Sequence, residues 1–136
     1  SAVCVGVAER LVEESLNFAM ERKQFGVPLS EHQLIQAMLA DSKTEAYAGR
    51  AMVMDAARRK DAGENVSTLA SCAKLFCAEM VGRVADRAVQ VHGGSGYMAE
   101  YAVERFYRDV RLFRIYEGTT QIQQLVVARN MVREAQ

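Results

Sequence analysis

Apolar residues fall into helical spacing along nearly the whole chain. Ala8, Val12, Leu16 and Met20 recur every four residues with Val7 and Leu11 beside them, which predicts an amphipathic helix over about 2–23 with that set facing inward. Phe25-Gly26-Val27-Pro28 breaks it, and Pro28 is the only proline. Ser30-Glu31-His32-Gln33 has the S-x-x-Q form of a capping box, so a second helix is expected from about Glu31, past Arg59, to a turn at Gly63. Asn65 or Ser67 can cap a third helix running through Leu75, Met80 and Val84 to about Val91. His92-Gly93-Gly94-Ser95-Gly96 stops it and reverses the chain, and a shorter helix follows over about 101–109. Thr120-Gln121-Ile122-Gln123 repeats the capping pattern, predicting a last helix from Thr120 with Ile122, Leu125 and Val126 inward. Strand-like alternation over five or more residues is confined to 110–116, which reads as coil or a short turn. The predicted fold class is all-α: an antiparallel up-and-down four-helix bundle of three long helices and a terminal one, packed with small and branched residues.

Composition supports one buried core and narrows the partners. With 136 residues, half of them hydrophobic, the chain has the size of one domain. Seventeen basic residues balance seventeen acidic ones, which argues against nucleic acid or an anionic membrane as main partner. No apolar run reaches the length of a membrane span, and no signal-peptide pattern opens the chain. Cys4, Cys72 and Cys77 lack metal-ligand spacing and read as free thiols in a reducing compartment, with no metal expected. The chain opens in mid-helix pattern without an initiator Met, as expected of a piece of a longer protein.

Three features could carry chemistry. The HGGSG run could cradle a phosphate with converging N–H groups, but it lacks dinucleotide-fingerprint spacing and follows helix rather than strand; a helix stop explains it as well. Arg105, Arg108, Arg111 and Arg114 recur every third residue among Glu104 and Asp109, as on a solvated or ion-paired face. Glu117 lies between Tyr116 and Gly118, after an apolar-leaning run and just before a helix start. The helix dipole alone favours a carboxylate there. A poorly solvated carboxylate with a raised pKa would instead suit proton abstraction.

Taken together, three spaced motifs resemble those of the acyl-CoA dehydrogenase family. Glu21-Arg22-Lys23-Gln24-Phe25-Gly26-Val27-Pro28-Leu29 is similar to its E-R-x-x-F-G-x-x-L stretch. Gln90 to Tyr97, then Glu100-Tyr101, Val103-Glu104-Arg105 and Tyr107-Arg108-Asp109, resemble a second signature, with Ala102 where many members carry proline. Ile115-Tyr116-Glu117-Gly118-Thr119 followed by Gln121-Ile122-Gln123 resembles a third. The resemblance covers the whole chain and implies that residues 1–136 are the C-terminal bundle domain, without the family's N-terminal helical and middle β domains.

What the resemblance implies is a flavoenzyme. An acyl-CoA thioester is oxidised to the trans-2-enoyl-CoA with hydride transfer to FAD, and electrons pass on to an electron-transferring flavoprotein. Glu117 takes the place of the base that removes the α-proton, with Tyr116 and Gly118 beside the substrate. Arg22, Lys23, Gln24 and Phe25 match one FAD-contact stretch, and His32 and Gln33 a second. Gln90, Val91, His92, Gly93 and Gly94 match a third, and Thr119, Thr120 and Gln121 a fourth. A homo-oligomer, dimer or tetramer, is implied, with no nucleic acid or membrane partner. The location implied is the bacterial cytoplasm, or the mitochondrial matrix in a eukaryote. The isolated domain is expected to be inactive and to self-associate. An acyl-CoA oxidase, or a helical domain serving assembly alone, are the rival readings.

Overall fold

The computed structural model describes residues 1–136. Five helices follow in order: α1 (Ala2–Glu21), α2 (Gln33–Asp61), α3 (Ser67–His92), α4 (Ala102–Val110) and α5 (Thr120–Glu134). The all-α bundle read from the sequence is the fold found, with α3 as its spine: it packs against α1, α2, α4 and α5.

The bundle closes tightly because its contact faces are small. Ala8, Ala46, Ala85 and Ala88 join Leu11, Met80, Val81 and Val84 in one buried cluster. At Gly49 of α2, an added Cβ would lie 3.0 Å from the Met80 Cε and 3.3 Å from the Cys77 Sγ, so the α2–α3 crossing depends on a missing side chain. Outside this crossing, Glu45 of α2 ties to α3 through Arg83 (3.0 Å) and Arg87 (3.2 Å). Partial burial pushes the Glu45 carboxyl up, but the hydrogen bonds from Arg87 and Arg83 outweigh it and hold the group below its ordinary value.

Small residues also decide which face of α1 turns inward. Cys4, Val5, Ala8, Leu11, Ser15 and Ala19 are buried, whereas the expected Leu16 and Met20 are 43% and 52% exposed. Choosing the small stripe lets α3 approach closely and leaves the bulkier side chains outside. The same correction applies to α5. Ile122 and Leu125 are about half exposed, Val126 and Val127 are partly covered, and no residue of the helix is fully buried.

The starts of α2 and α5 fall within two residues of expectation, but the caps differ. Residues Leu29–Glu31 form a 3-10 turn and α2 begins at Gln33, so the Ser30 hydroxyl caps nothing; the Gln36 amide donates instead to the Ser30 carbonyl (2.9 Å). The α5 cap is Thr119, one residue earlier than expected, whose hydroxyl accepts from the Ile122 N–H at 3.3 Å. Asn65 does serve α3, accepting from the Ser67 N–H (3.1 Å). Residues 111–114 form a 3-10 turn, consistent with the short turn expected there.

One element has no counterpart in the predicted set. Lys23–Gln24 (β1) pairs antiparallel with Val27–Pro28 (β2), Lys23 opposite Pro28. Phe25 and Gly26 form the tip with φ of +53° and +88°, the two left-handed residues of a type I′ hairpin. Phe25 is 94% exposed there. Leu34, Tyr47 and Tyr97 are also strongly exposed, and no helix is long and apolar enough to cross a membrane.

Candidate functional site

The candidate residues gather in two places along α3. The first lies at its C-terminal end. Helix α3 stops at His92 because Gly93 takes φ +57°, so HGGSG acts as the helix stop its composition allows. The following 3-10 turn (Gly93–Tyr97) then faces the hairpin. Arg22, Gln24, Leu29, Gln90, Gly93 and Gly94 line a cleft of about 390 Å³ between them. Two segments far apart in sequence, the hairpin strand and the glycine turn, therefore share one wall.

This cleft suits a phosphate-bearing ligand. Arg22 and Lys23 are exposed and make no ion pair within the chain. Gly93 and Gly94 have open space where a Cβ would stand, which leaves their backbone approachable. His32 holds the hairpin in place, its Nε2 3.3 Å from the Gln24 carbonyl and its ring edge-on to Phe25. Gln33 is exposed beside it. Val91 and His92 serve differently. Val91 is buried, and the His92 ring stacks on Phe18 at 4.2 Å with Nδ1 2.8 Å from the Ala88 carbonyl.

The second place lies beside the middle of α3, about 16 Å away along the helix axis by its rise per residue. Here the loop between the 111–114 turn and α5 carries Glu117. Its φ is +52°, and Gly118 follows at +86°. A non-glycine residue in the left-handed region is uncommon and must be held there by its surroundings. The surroundings are identifiable. The Lys74 ammonium donates to the Phe113 carbonyl at 2.5 Å, and the Gln123 amide donates to the Glu117 carbonyl at 3.4 Å. A Cβ on Gly118 would overlap that Gln123 amide, so the glycine makes room for the strut that holds Glu117. Tyr116 stacks on Phe113 with ring centroids 5.7 Å apart.

The expected poor solvation of Glu117 is not provided by this chain: its side chain is exposed. Beside it, the amide N–H groups of Glu117, Gly118, Thr119, Thr120 and Gln121 donate to no backbone acceptor. That run, ending at the α5 N-terminus, is a ready donor set for a carbonyl or phosphate oxygen. Thr119 and Thr120 are half-buried and Gln121 is exposed.

Of the arginine stripe, Arg105, Arg108 and Arg111 are exposed, while Arg114 pairs with Glu79 at 3.4 Å. That matches a solvated and ion-paired face. The three cysteines are free.

The chain belongs to the acyl-CoA dehydrogenase family: residues 1–132 match the model for the acyl-CoA dehydrogenase C-terminal domain. It is 48% identical over 133 residues to the probable acyl-CoA dehydrogenase YngJ of Bacillus subtilis, covering 98% of this chain and 35% of that protein. It is 42% identical, with the same coverage, to the 3-(aryl)acrylate reductase of Clostridium sporogenes. Among solved structures, butyryl-CoA dehydrogenase from Megasphaera elsdenii superposes with a TM-score of 0.93 at 36% identity, over 95% of this chain and 34% of that one. The FAD complex of PigA superposes at 0.92 and 28% identity, over 96% and 34%. The chain thus spans about a third of the length of the relatives it matches.

Proposed function

We propose that this chain is the C-terminal bundle of a longer FAD-dependent enzyme that interconverts an acyl-CoA thioester and its 2-enoyl counterpart, with Glu117 as the α-proton base. The observation that carries the reading is the Glu117 loop: a carboxylate held in left-handed backbone beside unpaired amide donors. An α-C–H next to a thioester is a weak acid, so the site must stabilise negative charge on the thioester oxygen as the proton leaves. In this reading the Glu117 N–H, which has no backbone acceptor, donates to that oxygen while the Glu117 carboxylate takes the proton. The electron pair of the broken α-C–H bond becomes the new double bond as the β-hydrogen departs with its own pair. FAD, when bound, supplies the hydride acceptor.

Substrate and cofactor would also supply what the chain alone does not, the desolvation that raises a glutamate's affinity for a proton. Arg22, Lys23, Gln24 and Phe25 on the hairpin, His32 and Gln33 after it, and Gln90–Gly94 would hold an FAD from the cleft at the end of α3. Val91 and His92 contribute there through their backbone. Thr119, Thr120 and Gln121 would offer the α5 N-terminal donors. In this reading the cleft at the end of α3 and the Glu117 loop serve one cofactor from different copies of the chain, in a homodimer or tetramer. Electron-transferring flavoprotein is the proposed redox partner, and the bacterial cytoplasm the proposed location.

The relative named as a reductase favours one extension. By microscopic reversibility the same glutamate, protonated, returns a proton to the α-carbon when the reaction runs toward saturation. Anaerobic mixing of the flavin-loaded complete protein with a panel of acyl-CoA esters tests the reading. Bleaching of the flavin absorbance by at least one ester is expected, and loss of bleaching in Glu117→Gln. Normal bleaching in that variant would place the base elsewhere.

A further inference from the structure

We propose that Glu79 of α3 is a positioning residue for the Glu117 loop, an inference that rests on Glu117 being the base. One Glu79 oxygen, Oε1, accepts from the Thr120 hydroxyl at 2.6 Å, and the other, Oε2, pairs with Arg114 Nη1 at 3.4 Å. Arg114 lies three residues before Glu117 and Thr120 three residues after it. Stretched out, the six steps from Arg114 to Thr120 would reach about 20 Å. Both ends are instead drawn to the two oxygens of one carboxylate. The segment between them is thus closed across one carboxylate, and Glu117 and Gly118, at φ +52° and +86°, are its left-handed residues.

The Arg114 end is set with little freedom. Its guanidinium packs against α3 at Gly82, where any Cβ would overlap it. Its Nε is buried without a hydrogen-bond partner. An arginine placed for its own solvation would not leave that donor unpaired; the placement serves the Glu79 contact. The Lys74 bond to the Phe113 carbonyl adds a tie on the same approach to the loop. Side chains of one rigid helix thus set where the Glu117 carboxylate and its neighbouring amides stand.

The test uses the flavin-loaded complete protein and the acyl-CoA ester that bleaches the wild type fastest. Glu79→Ala should slow the limiting rate of bleaching by about 10–100-fold, the scale of a misplaced reacting group. The half-saturating ester concentration should stay close to wild type, and flavin content should fall far less than the rate, since Arg22 and the glycine turn at the C-terminal end of α3 are untouched. Amide hydrogen exchange should quicken at the hydrogen-bonded amides that flank Glu117, those of Ile115, Tyr116, Ile122 and Gln123, while α3 exchanges as before. Glu79→Gln, which keeps an acceptor for Thr120, should recover most of the rate. Glu45→Gln, which loses ion pairs to the same helix without touching the loop, should leave rate and loop exchange unchanged.

Unaltered exchange at those four bonded amides in Glu79→Ala would overturn the proposal, as would an unaltered bleaching rate in a protein whose Glu117→Gln variant is inactive. If Glu117→Gln bleaches normally while Glu79→Ala loosens those amides, the base assignment falls and the tether stands. Should Glu79→Ala fail to fold, Arg114→Gln removes the other half of the tether. It must then loosen the same segment, and an unchanged segment refutes the proposal.

Discussion

Two turns in this molecule share almost the same backbone. At the hairpin tip, Phe25 and Gly26 have φ of +53° and +88°; in the loop before α5, Glu117 and Gly118 have +52° and +86°. Their supports differ. The hairpin is closed by its own strand pairing, Lys23 with Pro28 and Gln24 with Val27, and Gly26 has open space around it. The Glu117 turn has no strands and is held by side chains of α3 and α5: Lys74, Glu79 and Gln123. A turn closed by its backbone tolerates changes in its neighbours. A turn closed by distant side chains puts its geometry at the mercy of a few residues, and can be tuned through them.

The largest expected contrast is functional. In the flavin-loaded complete protein, Glu117→Gln should lower flavin reduction by about 10²–10⁴-fold while flavin content holds, since general-base catalysis is worth that much. Arg22→Ala at the hairpin should do the reverse, lowering retained flavin while what remains bound is still reduced. Stopped-flow bleaching and the flavin-to-protein absorbance ratio read the two effects separately. If both variants fail in the same way, the division into two clusters is wrong.

The next contrast is in stability. Gly26→Ala meets only the left-handed backbone penalty, about 1–2 kcal/mol. Gly118→Ala meets that penalty and also displaces the Gln123 amide, so about 2–4 kcal/mol is expected. Urea denaturation of both variants would show it, and equal losses would mean that the Gln123 strut contributes nothing. The smallest effect is relief of strain. Asn tolerates positive φ better than Glu or Phe, so Glu117→Asn and Phe25→Asn should each gain roughly 0.5–1 kcal/mol. Thermal melts would register the gain, at the expense of function in the first case.

Long-range order was readable from spacing where one element's pattern sufficed. The runs that became α1, α2 and α3 show in the sequence, because burying one face imposes helical periodicity on each. The inward face of α1 was not readable. Leu16 and Met20 fit the period as well as Ser15 and Ala19 do, and only the closeness of α3 selects the smaller set. The hairpin escaped for a related reason: each strand is two residues long, too short to alternate, and its tip carries Phe where Asn or Asp would have signalled a type I′ turn. The capping boxes located the starts of α2 and α5 to within two residues but not the caps: Ser30 caps nothing, and at α5 Thr119 caps while the Thr120 hydroxyl donates to Glu79. At the site, motif residues could be assigned by resemblance. Lys74, Glu79, Arg114 and Gln123 could not, because their roles come from pairings between elements that leave no spacing signature.

The cysteines give the bundle a built-in clock. Cys4 and Cys77 sit in the same buried cluster, while Cys72 is only half-covered. Burial pushes the Cys77 thiol up to about 11, with nearby Cys4 adding to it, and burial also raises Cys4. Unfolded, such a thiol ionises near its ordinary value of 9.0, so the native state holds a proton the unfolded chain gives up. That contribution to stability is present below about pH 9 and drains away as pH rises toward 11. Only a thiolate reacts quickly with an alkylating reagent, so near neutral pH Cys72 should be alkylated first and the other two only when α1 parts from α3. The lag between one adduct and three, read by mass spectrometry, times the opening of the core with no substitution introduced.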